Sequence, residues 1–355
     1  MASKIFYIPG DYPFCYMYRG YLPGIYSNQT VVSDFMRIGA DVSAEEYTKK
    51  ALQADIIVFQ RPTTEPAIEL AKLLKKKGKK IIMDNDDTYS GTPLHRLGNE
   101  KRVKIALEVK DRIDKFVKLA DGITVSTQIL KEEYEKINPN VVVLKNCIDP
   151  LDEMAPKKNE TGKFRVGLIG SVTSNDDYFH IKEQLRQLTE RGDVTLVILG
   201  IKQKDGSMLK VMQEDADFFS SIKVEWHPQC FVTEYMHTIA NLALDLAIIP
   251  RKDHYFNKCK SNVKYLEMSL LRIPVLAQGF PDGLSPYQQD SPFCTIVNND
   301  SEWYSTIIDI KENYAHYKDL ANKAHDYVLE NFNIKTFAPT WTEEIQKLCN
   351  YPKTS

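Results

Sequence analysis

The sequence predicts an α/β protein built as two successive doubly wound domains. Short β-branched or aromatic runs alternate with longer amphipathic stretches. The short runs are apolar on both faces, the pattern of strands in a buried parallel sheet. One polar stretch, Asp149–Gly162 (DPLDEMAPKKNETG), has two prolines and no periodicity, and the alternation restarts after it, so it reads as a linker. A length of 355 residues agrees with two domains at ~100–200 residues each.

In the first half the strand candidates are Ile5–Ile8, Ile56–Gln60, Ile81–Asp84, Ile123–Ser126 and Val141–Leu144. Helical periodicity falls on Glu65–Lys77, Glu100–Leu119 and Gln128–Lys136. Beyond the linker, strands are expected at Phe164–Ile169, Val194–Leu199, Val224–Trp226, Leu244–Ile249, Val275–Ala277 and Thr295–Val297. Helices are expected at His180–Arg191, Thr233–Asn241, Asn262–Leu271 and through Ser301–Glu330. The expected division is residues 1–150, 163–333 and a C-terminal helix and tail at 334–355. Ligands of such sheets bind beyond the carboxyl ends of the strands, so two domains facing one another would offer two binding edges across a cleft.

Composition narrows the function classes. The 46 Lys+Arg and 48 Asp+Glu give a formal charge of -2, which excludes a strongly basic nucleic-acid binder of the histone type. The six cysteines lie far apart without a CxxC pair and read as reduced thiols. The apolar run Ile5–Ile8 is too short for a signal peptide, and no run reaches the ~20 apolar residues of a membrane span. The expectation is a cytoplasmic protein.

The densest polar constellation follows the strand candidate Leu244–Ile249. It runs from Arg251 through Asp253, Asn257, Cys259, Lys260, Ser261 and Lys264 to Glu267. A helix beginning at Ser261 or Asn262, either of which suits a cap, offers free N–H groups and a positive dipole end to a phosphate. Arg251, Lys260 and Lys264 add cationic charge there. Lys260, Lys264 and Glu267 share one helix face. The plainer reading of Lys264 and Glu267 is a solvated surface pair.

The run KSNVKYLEMSLLRIPVLAQ resembles the donor-binding signature of GT-B fold retaining glycosyltransferases of the glycogen-synthase-like group. That resemblance implies that Glu267 binds the ribose of a nucleotide sugar and that Arg251, Lys260 and Lys264 neutralise its diphosphate. The family's second glutamate, eight residues earlier, is here Cys259, leaving Asp253 or Asn257 to meet the donor sugar. Arg272 stands where the family often has glycine. Phe164–Ser171 (FRVGLIGS) resembles the first strand and glycine turn of the donor domain, with Gly170 and Ser171 on the donor. Asp121–Ser126 and Leu144–Ile148 resemble further strand-end motifs of the family. Ile334–Leu348 resembles the helix that crosses back onto the first domain.

The N-terminal half resembles a subset of the family common in bacteriophage genomes. Its motifs are Tyr16-Met17-Tyr18-Arg19-Gly20, Gln60-Arg61-Pro62 and Asp84-Asn85-Asp86-Asp87, each after a strand. Tyr18, Arg19, Arg61, Asp86 and Asp87 are therefore candidates for the acceptor or phosphate side. The alternative for both arginines is pairing with these same aspartates. Asp84-Asn85-Asp86 also fits a DxD metal motif, but the fold resembled is metal-independent, and no metal or cofactor is expected. The aromatic cluster from Tyr7 to Tyr26 is either core or a stacking platform.

The resemblance, with these residues, implies a retaining glycosyltransferase with a nucleotide-diphosphate sugar, most simply a UDP-sugar, as donor. The acceptor would be a hydroxyl of a glycan, lipid-linked sugar or small molecule, and the resemblance implies front-face displacement after domain closure. A DNA acceptor carrying a modified base is the alternative. It would call for a basic groove, whereas residues 1–155 hold 23 Lys+Arg against 22 Asp+Glu. A non-catalytic nucleotide-sugar binding module is a further alternative, supported by Cys259. Lys75–Lys80 reads as a solvated helix end closed by Gly78.

Overall fold

The structure is a computed structural model, and it describes residues 3–10, 13–27, 30–32, 43–92, 100–170, 176–202 and 213–350. The chain forms two compact units. One comprises residues 1–149, 259–261 and 332–355; the other comprises 150–258 and 262–331.

The first unit holds a parallel six-stranded sheet: β1 (Ile5–Ile8), β2 (Thr30–Val32), β3 (Ile56–Gln60), β4 (Lys80–Asn85), β5 (Gly122–Val125) and β6 (Val141–Val143). The strand order is β2-β1-β3-β4-β5-β6, so the winding reverses between β1 and β3. Alternate residues serve opposite faces. Phe6, Ile57, Phe59, Ile81, Met83 and Ile123 face the helices Glu65–Lys76, Glu100–Leu119 and Gln128–Tyr134. Ile5, Tyr7, Ile56, Val58 and Ile82 face the C-terminal helix Ile334–Cys349, which buries Trp341, Ile345 and Leu348 against them. The sequence expectation of a C-terminal helix returning to the first domain is met. β2, the helix Ala44–Ala51 and the helical turns within Pro13–Ile25 were not expected from the sequence.

The second unit holds a second parallel six-stranded sheet: β7 (Phe164–Ile169), β8 (Val194–Lys202), β9 (Val224–Pro228), β10 (Leu246–Ile249), β11 (Val275–Gln278) and β12 (Thr295–Val297). Its order, β12-β11-β10-β7-β8-β9, reverses between β7 and β10. The core gathers Val166, Leu168, Leu196, Ile198, Leu246 and Ile248 against Leu185, Leu188, Trp303 and Ile307. The expected helix His180–Arg191 is Lys182–Glu190, preceded by a separate short helix, Asp176–Phe179, that was not expected. One expected helix proves to be a pair: Ser301–Glu330 breaks at Asn313 into Glu302–Glu312 and Tyr314–Asn331.

Candidate functional site

In a doubly wound sheet the loops part at the point where the winding reverses, and the space left there is the usual ligand site. In the second unit that point lies between β7 and β10. The register pairs Leu168 with Ile248, so Gly170 and Pro250 leave the sheet side by side. A Cβ at Gly170 would lie 2.1 Å from the hydroxyl of Tyr178, itself buried, so glycine is required there. Ser171 lies outside the described residues.

The loop after β10 is organised by a residue that sequence reasoning missed. Asp177, with its side chain 1% exposed, accepts from Arg251 Nη1 at 2.8 Å. It also accepts from the Lys252 backbone N–H at 3.0 Å and from Asn257 Nδ2 at 2.6 Å. A buried carboxylate is tolerable only when so satisfied. Arg251 Nε and Asn257 Oδ1 are buried without a hydrogen-bond partner among the described residues. Both are thus polar groups with bonding capacity left at the sheet's switch point. Asp253 is half exposed and paired with Lys258 at 2.9 Å.

The helix after this loop is Val263–Leu270. Asn262 occupies its cap position, yet its side chain makes no capping bond and donates to the Asp290 carbonyl at 2.9 Å instead. Neither expected cap is therefore used: the Ser261 hydroxyl accepts from Asn146 Nδ2 at 2.8 Å. Glu267 is 2% exposed. Its Oε2 accepts from Lys264 Nζ at 3.1 Å and from the Tyr235 hydroxyl at 3.0 Å. Lys264 also bonds the Tyr235 hydroxyl and lies 4.7 Å above that ring. In place of the solvated surface pair weighed from the sequence there is a three-residue cluster in which Glu267 and Tyr235 are buried and Lys264 keeps part of its side chain exposed. Tyr235 carried no sequence signal beyond its place after the carboxyl end of β9.

Residues 259–261 belong to the first unit, so the basic trio is divided: Arg251 and Lys264 in one unit, Lys260 in the other. Cys259 is fully buried in the first unit's core, and its carbonyl accepts from Thr127 Oγ1 at 3.1 Å.

The first unit's switch point lies between β1 and β3. Gly10 closes β1 with its N–H on Gln60 Oε1 at 3.1 Å, and a Cβ there would meet the Gln60 carbonyl at 2.2 Å. Arg61 takes a left-handed backbone, φ 47°, uncommon outside glycine. That turn aims its guanidinium at Tyr89 Oη (3.1 Å), Asp87 (3.5 Å) and Asp86 (3.7 Å). Lys260 Nζ reaches the same Asp87 oxygen at 2.8 Å. Burial works against ionising Asp86, but Arg61 and the Cys15 thiol hold its carboxyl below the ordinary range. Burial and then Asp86 push the Cys15 thiol up to about 12, so it stays protonated.

Arg19 lies deeper and is fully buried. It donates to Asp84 through Nε at 3.1 Å and Nη2 at 2.7 Å, and to Asn146 Oδ1 at 3.1 Å. It also bonds the Leu144 carbonyl and stacks 4.6 Å from the Trp341 ring. Both arginines are paired with the neighbouring aspartates, which is the alternative the sequence left open. Tyr18 is half-buried and packs with Leu22, Cys147, Ile334 and Ala338, so here the aromatic cluster is core. Among the described residues no cluster of His, Cys, Asp and Glu is arranged to hold a metal ion, and the carboxylates of Asp84 and Asp86 face arginines.

Two parallel sheets, each with polar residues gathered where its winding reverses, define the GT-B class of fold. Solved structures share it. A glycosyltransferase from Rickettsia africae matches over 100% of both chains with a TM-score of 0.67 at 12% identity. HepE of Anabaena, solved in complex with UDP-glucose, matches with a TM-score of 0.66 at 13% identity, over 97% of this chain and 100% of its own. Sucrose-phosphate synthase of Thermosynechococcus elongatus matches with a TM-score of 0.62 at 13% identity, over 86% of this chain and 77% of its own. No protein-family model and no curated protein sequence matches the chain.

Proposed function

We propose that the chain is a nucleotide-sugar-dependent glycosyltransferase, with a UDP-sugar as donor. The observation that carries this reading is the second unit's switch point. There Arg251 and Asn257 retain buried bonding capacity, and the following helix carries the buried Glu267. A helix start without a side-chain cap suits a phosphate, and a buried carboxylate suits sugar hydroxyls. The neighbour HepE was solved with UDP-glucose bound, which supports the donor class.

In this reading Arg251 stabilises the charge that builds on the diphosphate as the anomeric C–O bond breaks. Asn257 or Asp253 meets the donor sugar, and Lys264 contributes positive charge. No side-chain nucleophile is needed if the acceptor hydroxyl attacks the face that the diphosphate leaves and passes its proton to the leaving phosphate. That retaining course rests on the sequence resemblance. On the first unit, Asp86 pairs with Arg61 and Asp87 with Arg61 and Lys260, and these carboxylates would orient a hydroxyl. With these cations matched by carboxylates, the acceptor is a neutral polyol such as a glycan or small molecule. A DNA acceptor would call for cations in excess.

The test is a thermal-shift screen against UDP-, GDP- and ADP-sugars with and without EDTA. A donor at ~100 times its Kd adds about 2.7 kcal/mol to native-state stability. A shift with one nucleotide class, unchanged by EDTA, is expected. No shift across the panel at millimolar ligand contradicts the donor assignment.

A further inference from the structure

Glu267 is 2% exposed, and of the two groups that hold its carboxylate, Lys264 was recognisable from the sequence and Tyr235 was not. We propose that Tyr235 is the positioning residue that fixes the Glu267 carboxylate, and that it thereby sets a preference for ribonucleotide over deoxyribonucleotide donors. The proposal rests on the reading of Glu267 as the ribose-binding group.

Tyr235 opens the helix Tyr235–Asn241, just beyond the carboxyl end of β9, while Glu267 lies on the helix that follows β10. The Tyr235 side chain is buried, and its hydroxyl donates to Glu267 Oε2 at 3.0 Å. Lys264 donates to that same oxygen at 3.1 Å and bonds the tyrosine hydroxyl as well. The aromatic face lies 4.7 Å beneath the ammonium, so the lysine is held both by its hydrogen bonds and by the ring. The outcome is a closed triangle of bonds about Oε2.

A carboxylate pinned through one oxygen cannot rotate about its terminal torsion without breaking bonds to a charged partner. Its orientation is settled before a ligand arrives. Vicinal ribose hydroxyls are recognised by a single carboxylate only if both lone-pair directions are already correct, and preorganisation removes that ordering cost from binding. A flexible carboxylate would still accept one hydroxyl but would discriminate poorly between two hydroxyls and one. Tyr235 therefore acts through Glu267, on nucleoside choice and not on the bond that breaks.

The experiment is calorimetric titration of the full chain with UDP, GDP and ADP, then with the 2′-deoxy and 3′-deoxy forms of whichever binds. The wild type should bind the ribonucleotide about tenfold more tightly than either deoxy form, the scale of one charge-assisted hydrogen bond. Tyr235→Phe keeps the ring beneath Lys264 and removes only the hydroxyl. It should bind the ribonucleotide about five- to tenfold more weakly, while binding of the deoxy forms stays near wild type, so that the preference collapses. In a Glu267→Gln background, Tyr235→Phe should add no further loss, because the two act on one contact. Undiminished ribose preference in Tyr235→Phe, or additive losses in the double variant, overturns the role of Tyr235 while leaving the donor site standing. Failure of the wild type to bind any of the three diphosphates overturns the donor reading itself, and this proposal with it.

Discussion

Cys259 occupies the position at which the family resembled usually carries a glutamate, and its surroundings explain the substitution. It is fully buried in the apolar core of the first unit, beside the loop that follows β5. A carboxylate there would be desolvated, a cost of several kcal/mol. Cys259→Glu should therefore lower the melting temperature by more than about 5 °C and leave donor turnover no higher than wild type. Unchanged stability with increased turnover would place residue 259 on the donor sugar instead. Arg272 departs from the family in the opposite sense: its backbone is left-handed, φ 53°, the conformation that glycine adopts most cheaply. Its side chain offsets the strain by donating to Glu153 at 2.9 Å. The polar residues of the site were legible because they cluster after strand ends. Asp177 and Tyr235 were not, since their partners lie 74 and 32 residues away and only the tertiary fold joins them.

At the scale of elements, strands that are apolar on both faces were read almost to the residue. Ile56–Gln60, Phe164–Ile169 and Thr295–Val297 begin and end where the sequence placed them. β2, a three-residue edge strand beside β1, was not read, although β12, of the same length and also at an edge, was. The longest helical reading, Ser301–Glu330, overran a break at Asn313, where amphipathic periodicity continues while the backbone turns. The C-terminal helix is legible because Ile334, Ala338, Trp341, Ile345 and Leu348 recur at helical spacing. It is tied to the sheet by Asn140 Nδ2, which donates to the Leu348 carbonyl at 2.8 Å, and by Trp341 beneath Arg19. Trp341→Ala is accordingly expected to cost about 3–5 kcal/mol in chemical denaturation of the full chain. A loss under about 1 kcal/mol would show that the helix adds little to the first unit's core.

Over the whole chain, near-neutrality conceals local pairing. The formal charge of -2 arises from 46 cations against 48 anions, and around the first switch point Arg61 and Lys260 are matched by Asp86 and Asp87. Two Rossmann-like sheets assign the labour in our account: the second unit takes the nucleotide sugar, and the first unit's carboxylates orient a neutral hydroxyl. The donor assignment is the part on which the rest depends, and it converges on Glu267. Release of nucleoside diphosphate from the nucleotide sugar that stabilises the chain is therefore to be measured for the wild type, Glu267→Ala and Glu267→Gln, each checked for an intact melting transition. Both substitutions should lower kcat/KM by about 10- to 100-fold, the worth of a hydrogen-bonded charge. Folded variants that turn over the donor at the wild-type rate would contradict the donor assignment.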